Sequence, residues 1–280
     1  MDILNLIRIK DWLKNIIIFF PLIFSGQLFN ITNYSSLLLG FFSFCIISSF
    51  VYILNDILDI ESDKKHPQKK HNKPIANNKI SIKRAYIILL IFGILSFILI
   101  INQPSIHFKV SIYLFISFVY NFFFKKIPFL ELIILAFGYI IRVDTGSQII
   151  DVDSSLLMLI SIFCLGLYFI SIKRLSELNY KSISSNFESR SVLKYYKKSY
   201  LRFLSFSSII VLFVVMLIYV LVVNIKLSVS FLLVIVFIRK YNSLAKDNSK
   251  GENPILFIFS DKFLLILSLV VFISSFLIYL

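Results

Sequence analysis

The stretch Asn55-Asp56-Ile57-Leu58-Asp59-Ile60-Glu61-Ser62-Asp63 ends a long apolar run and leads into a strongly basic loop. On a helix, Asp56, Asp59 and Asp63 fall at i, i+3 and i+7, which stacks three carboxylates on one face over two turns. Asn55 lies beside that face. Carboxylates gathered in this way repel one another and call for a cation. Hard oxygen donors suit Mg2+, which is usually held by one or two carboxylates together with a substrate's phosphates. A single Asp at such a helix end reads most simply as a solvated charge. Four aligned polar residues ahead of a basic loop favour a metal and diphosphate site.

The elements that position this stretch read as membrane helices. The 280 residues are 58% hydrophobic and 16% charged, whereas soluble chains average about half apolar and a quarter charged. Apolar runs long enough to cross a bilayer recur along the chain, and each must satisfy its own backbone as a helix. The fold class expected is therefore all-α and polytopic. Nine transmembrane helices are expected, at about 15–29, 37–60, 85–101, 108–124, 128–150, 154–172, 203–223, 227–238 and 263–280, in a single domain over 1–280. Residues 1–14 interleave apolar positions with Arg8, Lys10 and Lys14, and Trp12 sits among them. They read as an amphipathic interfacial helix rather than a cleaved signal peptide. Pro21 is expected to kink the first span.

Of the 29 Lys and Arg residues, all but Lys109, Arg142 and Lys226 fall on one side of that topology. This asymmetry places the N-terminus in the cytoplasm, the C-terminus outside, and the carboxylate stretch on the cytoplasmic face of the cell (inner) membrane. The net charge of +14 thus belongs to loops facing anionic lipid, and no nucleic-acid partner is expected. Cys45 and Cys164 lie inside apolar runs, with neither a disulfide framework nor metal-ligand spacing.

With that orientation, the ends of the second, fourth and sixth spans converge. The 61–84 loop, Lys125-Lys126 and Lys173-Arg174 bring cations to the carboxylates. Mg2+ on Asp56, Asp59 and Asp63 would hold a diphosphate, and the lysines and arginine would neutralise the remaining phosphate charge. Arg142 sits inside the fifth span, where a lone charge costs at least ~2.5 kcal/mol. It calls for a substrate anion or an ion pair with another helix, and Asp144, two residues on, points elsewhere.

The arrangement N-D-x-x-D-x-x-x-D at the end of the second of nine helices resembles the first aspartate-rich motif of the UbiA superfamily of intramembrane prenyltransferases. Further residues resemble its decaprenyl-phosphate phosphoribosyltransferase branch. Asp63-Lys64-Lys65-His66-Pro67-Gln68-Lys69 and Lys73-Pro74-Ile75-Ala76 resemble that branch's D-x-x-H-P-x-K and R-P-I-A-S-G. Tyr120 to Lys125 with Glu131, Ile141-Arg142 with Gly146, and Tyr168 to Leu178 with Lys173-Arg174 match later blocks. The resemblance runs from the W-L-K-N of residues 12–15 to about Leu201. Lys73 stands where the branch has Arg, Glu131 where it has Asp, and Asn77-Asn78 where it has Ser-Gly, although Asn tolerates the left-handed turn that Gly supplies.

The resemblance implies a Mg2+-dependent transferase that moves 5-phosphoribosyl from 5-phosphoribosyl diphosphate (PRPP) to a polyprenyl phosphate, releasing diphosphate. Asp56, Asp59 and Asp63 would be catalytic and metal-binding. Asn55, His66, Lys69, Lys73, Tyr120, Lys125, Glu131, Arg142, Lys173 and Arg174 would contact substrate, His66 on the resemblance alone. Ordinary members transfer a prenyl group and carry a second aspartate-rich motif. This chain has no D-x-x-x-D there, only Glu131 beside two lysines, which favours a donor with an extra phosphate. Prenyl transfer to an aromatic or other acceptor is the alternative. A non-enzymatic carrier would need midplane charges and broken helices in both halves, and only Arg142 and Asp144 lie within a span away from its ends.

Overall fold

The chain begins with α1 (Asp2–Leu6), an unusually long 3-10 helix over Ile9–Phe19, and α2 (Phe20–Phe24). In this computed structural model, residues 2–65, 69–183, 191–222, 224–245 and 254–276 are described, and no strand occurs among them. A long helix, α3 (Thr32–Leu58), is followed by short α4 (Ile60–Lys64) and α5 (Lys69–Asn72). Then come α6 (Ile82–Ile101), α7 (His107–Phe122), α8 (Leu130–Ile149) and α9 (Leu156–Ile183). The last part holds α10 (Lys198–Val222), α11 (Ser228–Ala245), α12 (Pro254–Ser260) and α13 (Lys262–Phe276).

Six helices among the described residues are long and apolar enough to cross a bilayer: 32–58, 82–101, 130–149, 156–179, 198–222 and 225–245. The other three expected spans take different forms. The first becomes the 3-10 helix joined to α2, with Pro21 in the opening turn of α2. There Pro loses nothing, because the N–H it lacks has no partner at a helix start. The fourth is the 16-residue α7 and the ninth is the 15-residue α13.

Side-chain placement follows the bilayer logic. α6 turns Ile87, Leu90, Ile94 and Phe97 outward, as a lipid-facing helix should. The inner faces pack around Ile18, Leu37, Phe44, Ile47, Val110 and Ile141. Small residues let backbones meet closely at the centre. At Gly146 a Cβ would fall 2.0 Å from the Ile18 carbonyl oxygen, so α8 presses directly on the N-terminal 3-10 helix. Gly146→Ala must push the two backbones apart. Overpacking of this kind costs about 1–3 kcal/mol, read as a lowered thermal unfolding midpoint of the purified protein. A midpoint equal to wild type would show that the contact is loose.

Two local expectations have definite outcomes. Asn78 takes the left-handed conformation, φ 61°, as its place in the Ser-Gly position anticipates. Asp144 turns away from Arg142 and pairs with Lys109, while accepting a hydrogen bond from Ser154 at 2.6 Å. This neutralises two charges that α7 and α8 carry into the bundle.

Candidate active site

The carboxylate stretch lies where α3 gives way to α4. The helix is interrupted at Asp59, φ −98° and ψ 6°, although the Asp59 and Asp63 amides still donate four residues back. The three carboxylates meet two different ammonium groups. Asp56 and Asp63 are both buried and converge on one ammonium. Lys73 lies 2.9 Å from Asp56 Oδ1 and also pairs with Asp63 Oδ2. Asp59 instead meets Lys125, at the end of α7, at 2.6 Å. Asn55 donates to Asn121 Oδ1 at 2.5 Å, which ties α3 to α7 at the same level.

The N-terminal segment completes this layer. Arg8 pairs with Asp56 Oδ1 and lies over the Tyr52 ring, 5.1 Å from its centroid. Arg8 sits at the corner between α1 and the 3-10 helix in a left-handed conformation, φ 54°. For an L residue that conformation costs about 1–2 kcal/mol. Lys14 bonds Asp11 at 2.5 Å and also approaches the Tyr52 ring, at 5.6 Å. Burial alone would push the pKa of both cations down, yet each is held above its ordinary value. Asp56 and Asp11 do this for Arg8, and Tyr52 and Asp11 do it for Lys14. Asp11, against the opposing effect of burial, is held below its ordinary value by Lys14 and Arg8. Trp12 donates its indole N–H to Ser49 Oγ at 2.9 Å, and Ser49 donates to the Ile7 carbonyl at 2.7 Å. These bonds fix the segment against α3. Residues 8–14 are thus a wall of the site as well as part of an amphipathic stretch.

A cavity of about 210 Å3 opens between these elements. Arg8, Lys10, Asp11, Lys14, Lys173 and Asn55 give it a charged end. Val51, Ile116, Ile134, Leu135, Phe169 and Ile170 supply apolar walls, and Tyr113, Tyr139 and Arg142 line it too. Tyr120, buried near the end of α7, and Asn121 also face it.

Arg142 is buried and donates from Nε to Asn15 Oδ1 at 2.6 Å and from one terminal nitrogen to the Gly138 carbonyl at 2.6 Å. Its other terminal nitrogen meets the Tyr113 hydroxyl at 3.0 Å and Ser48 Oγ at 3.5 Å. Among the described residues no carboxylate pairs with it, so of the two partners expected for it, the ion pair with another helix is not formed.

Arg174 and Glu131 are brought together rather than left facing a ligand. Arg174 makes a two-pronged contact with Glu131, at 2.9 and 2.8 Å, and reaches Glu177 at 2.7 Å. Glu131 is 0% and Arg174 1% exposed, and the Tyr196 hydroxyl adds a 3.2 Å bond to Glu131. Both are committed to a buried clamp that joins α8, α9 and the 191–197 segment, although Arg174 also borders the cavity. His66 lies outside the described residues. Lys69 begins α5, and its side chain lies outside them too.

The donor set fits Mg2+ in kind. Asp56 and Asp63 are hard oxygen ligands converging on one shared cation position, now taken by the Lys73 ammonium. Among the described residues no group of three or more His, Cys, Asp and Glu could hold a metal alone. An ion here would therefore rest on one or two carboxylates together with phosphates of a ligand.

The sequence reading missed Arg8, Asp11, Lys14, Tyr52, Asn15 and Tyr113. The only available signal was the W-L-K-N of residues 12–15, which points at the segment but not at what it touches.

An all-helical bundle with several bilayer-length apolar helices, enclosing a cavity lined by buried charges, defines an integral multi-pass membrane protein. The chain belongs to the UbiA prenyltransferase family, whose model matches residues 16–267. The decaprenyl-phosphate phosphoribosyltransferase of Corynebacterium glutamicum is 27% identical over 204 residues, 70% of this chain and 60% of that protein. The nodulation protein NoeC of Azorhizobium caulinodans is 31% identical over 174 residues, 61% of this chain and 55% of that protein. The chain thus spans little more than half the length of these two relatives. A UbiA homolog from Archaeoglobus fulgidus, solved with GPP and Mg2+, superposes with a TM-score of 0.73. The match covers 100% of this chain and 99% of that one at 18% identity. The resemblance read from the sequence, to this family and to its phosphoribosyltransferase branch, is borne out.

Proposed function

We propose that the protein is a Mg2+-dependent membrane transferase that moves 5-phosphoribosyl from PRPP to a polyprenyl phosphate and releases diphosphate. The observation that carries this reading is the fate of Glu131. It stands beside Lys125-Lys126 where the sequence has no D-x-x-x-D, and Arg174 and Tyr196 occupy both its oxygens. The rest of the layer is rich in cations: Arg8, Lys14, Lys73, Lys125 and Lys173. Such a layer suits a donor carrying more phosphate than a prenyl diphosphate does. Relatives that bear the phosphoribosyltransferase name support the same choice.

The reaction asks little covalent chemistry of the protein. An ionised phosphate oxygen of the lipid attacks the anomeric carbon, the bond from that carbon to the diphosphate breaks, and diphosphate leaves with the electron pair. No general base is needed. Asp56 and Asp63, with Asp59, would hold Mg2+, which supplies Lewis-acid stabilisation of the leaving diphosphate. Lys73, Arg8 and Lys125 stand ready to exchange carboxylate partners for phosphate oxygens. Tyr52 holds Arg8 and Lys14 in place through its ring face. Ile116, Ile134, Leu135 and Phe169 exclude water, so the donor is not hydrolysed and fixed charges act at full strength.

The nine-span topology, with a cytoplasmic N-terminus, an outer C-terminus and the carboxylate layer at the cytoplasmic face of the inner membrane, belongs to the same proposal. The lopsided distribution of Lys and Arg supports it.

The deciding assay incubates the purified full-length protein with Mg2+ in two mixtures. One holds radiolabelled PRPP and a polyprenyl phosphate, and the other a labelled prenyl diphosphate and an aromatic acid. Lipid-linked label from the first mixture alone is the expected result. Product from the second alone would transfer the assignment to prenyl transfer.

A further inference from the structure

We infer that Arg142 and Tyr113 form a second phosphate subsite, separate from the carboxylate layer and deeper in the same cavity. This deepens the proposed function and rests on it for the identity of the ligands.

Arg142 is 5% exposed and lies inside a bilayer-length helix. All four of its hydrogen-bond partners are neutral: Asn15 Oδ1, the Gly138 carbonyl, the Tyr113 hydroxyl and Ser48 Oγ. They orient the guanidinium without balancing its charge. A guanidinium held in apolar surroundings without an anion is strongly unfavourable. Two other arginines of the bundle show how this chain meets that need, since half-buried Arg8 has Asp56 and buried Arg174 has Glu131 and Glu177. Arg142 has the same need and borders a cavity instead. Its counter-ion therefore arrives with a ligand.

Position indicates what kind of ligand. Arg142 contacts Ser48, eight residues before Asp56 on the same continuous helix, α3. At about 1.5 Å per residue the two levels are about 12 Å apart. That exceeds the reach of one diphosphate bound at the carboxylates. It suits a second phosphate across a sugar ring, or the phosphate of a separate lipid. Tyr113 strengthens the case. Its ring packs against the guanidinium, 4.8 Å from centroid to carbon, and its hydroxyl, while accepting from Arg142, has only a long 3.4 Å contact to Ser48 Oγ that its proton could leave for a phosphate oxygen. A planar fork with a hydroxyl beside it suits phosphate recognition. A prenyl diphosphate would lay hydrocarbon at this level and leave Arg142 unbalanced.

Two phosphate sources share this chemistry, and a binding experiment separates them. Calorimetry on the full-length protein in lipid nanodiscs would use ribose 5-phosphate and farnesyl phosphate as separate probes, with Mg2+ and inorganic pyrophosphate as the control. Arg142→Gln should weaken one of the two phosphate probes at least tenfold and shift pyrophosphate binding less than twofold. Loss confined to ribose 5-phosphate assigns the subsite to the donor, and loss confined to farnesyl phosphate assigns it to the acceptor. Tyr113→Phe keeps the ring and removes only the hydroxyl. It should weaken the same probe by a smaller factor, which keeps the test open should Arg142→Gln fail to fold. Wild-type protein that binds neither probe, or variants that bind both as wild type does, would overturn the subsite. Because these probes bind without turnover, a failure of PRPP transfer in the assay above is read independently.

Discussion

Asp56→Ala is expected to lower transfer by about a hundredfold to a thousandfold, the scale seen when one stabilising group is removed from a dry catalytic site. Asp56 carries more than its own charge. It is buried, shares Lys73 with Asp63, and anchors Arg8 from the N-terminal segment. Its loss would take away a proposed metal ligand and release Arg8 at the same time. Asp59→Ala should have a comparable effect on turnover through a different route, because it frees Lys125 at the end of α7. Initial rates of lipid-linked product would be measured alongside Mn2+ binding by electron paramagnetic resonance. Asp56→Ala should lose both readouts. Wild-type turnover in Asp59→Ala, with lipid and Mg2+ supplied, would remove the stretch from the mechanism.

Glu131→Ala should produce a large fall in stability, about 3–5 kcal/mol, because it removes one partner of a buried ion pair and leaves its donors without an acceptor. Arg174 would keep Glu177 but lose two contacts at 2.9 and 2.8 Å. Tyr196 would lose an acceptor as well, loosening the 191–197 segment. The triple variant Glu131→Ala, Arg174→Met, Glu177→Leu removes all three members of the buried ion triad and should recover much of the loss, since replacing such a group outright costs less than breaking it. Thermal unfolding of the purified variants measures both. A single variant that melts with wild type would mean that the clamp is hydrated and that Glu131 is available to a ligand after all.

These two sites mark how far the sequence could be read. Asp56, Asp59 and Asp63 were legible because spacing within one helix is periodic, and the lysines because charges at span ends follow membrane topology. What each carboxylate faces was not. Lys73 is close in sequence to Asp63, but its bridge to Asp56 depends on how α5 folds back. Arg8 meets Asp56 across 48 positions and Arg174 meets Glu131 across 43, separations that carry no local signal. The split of the carboxylates between two cations was hidden for a related reason. Helical periodicity groups the three carboxylates, while which cation each one meets, Lys125 for Asp59 and Lys73 for Asp56 and Asp63, is set by tertiary structure. Glu131 was legible as an acidic residue in a meaningful place, yet its role as a clamp follows only from its partners.

The indole of Trp12 gives the bundle an optical property. The chain contains one tryptophan, and its N–H is bonded to Ser49 beside the segment that carries Arg8, Lys10, Asp11 and Lys14. Excited at the long ultraviolet wavelengths that tyrosine does not absorb, the unlabelled protein therefore emits from a single point in the segment beside the cavity. Undocking of that wall would move the emission toward longer wavelengths. The protein thus carries its own fluorophore at the place where phosphate would first meet charge.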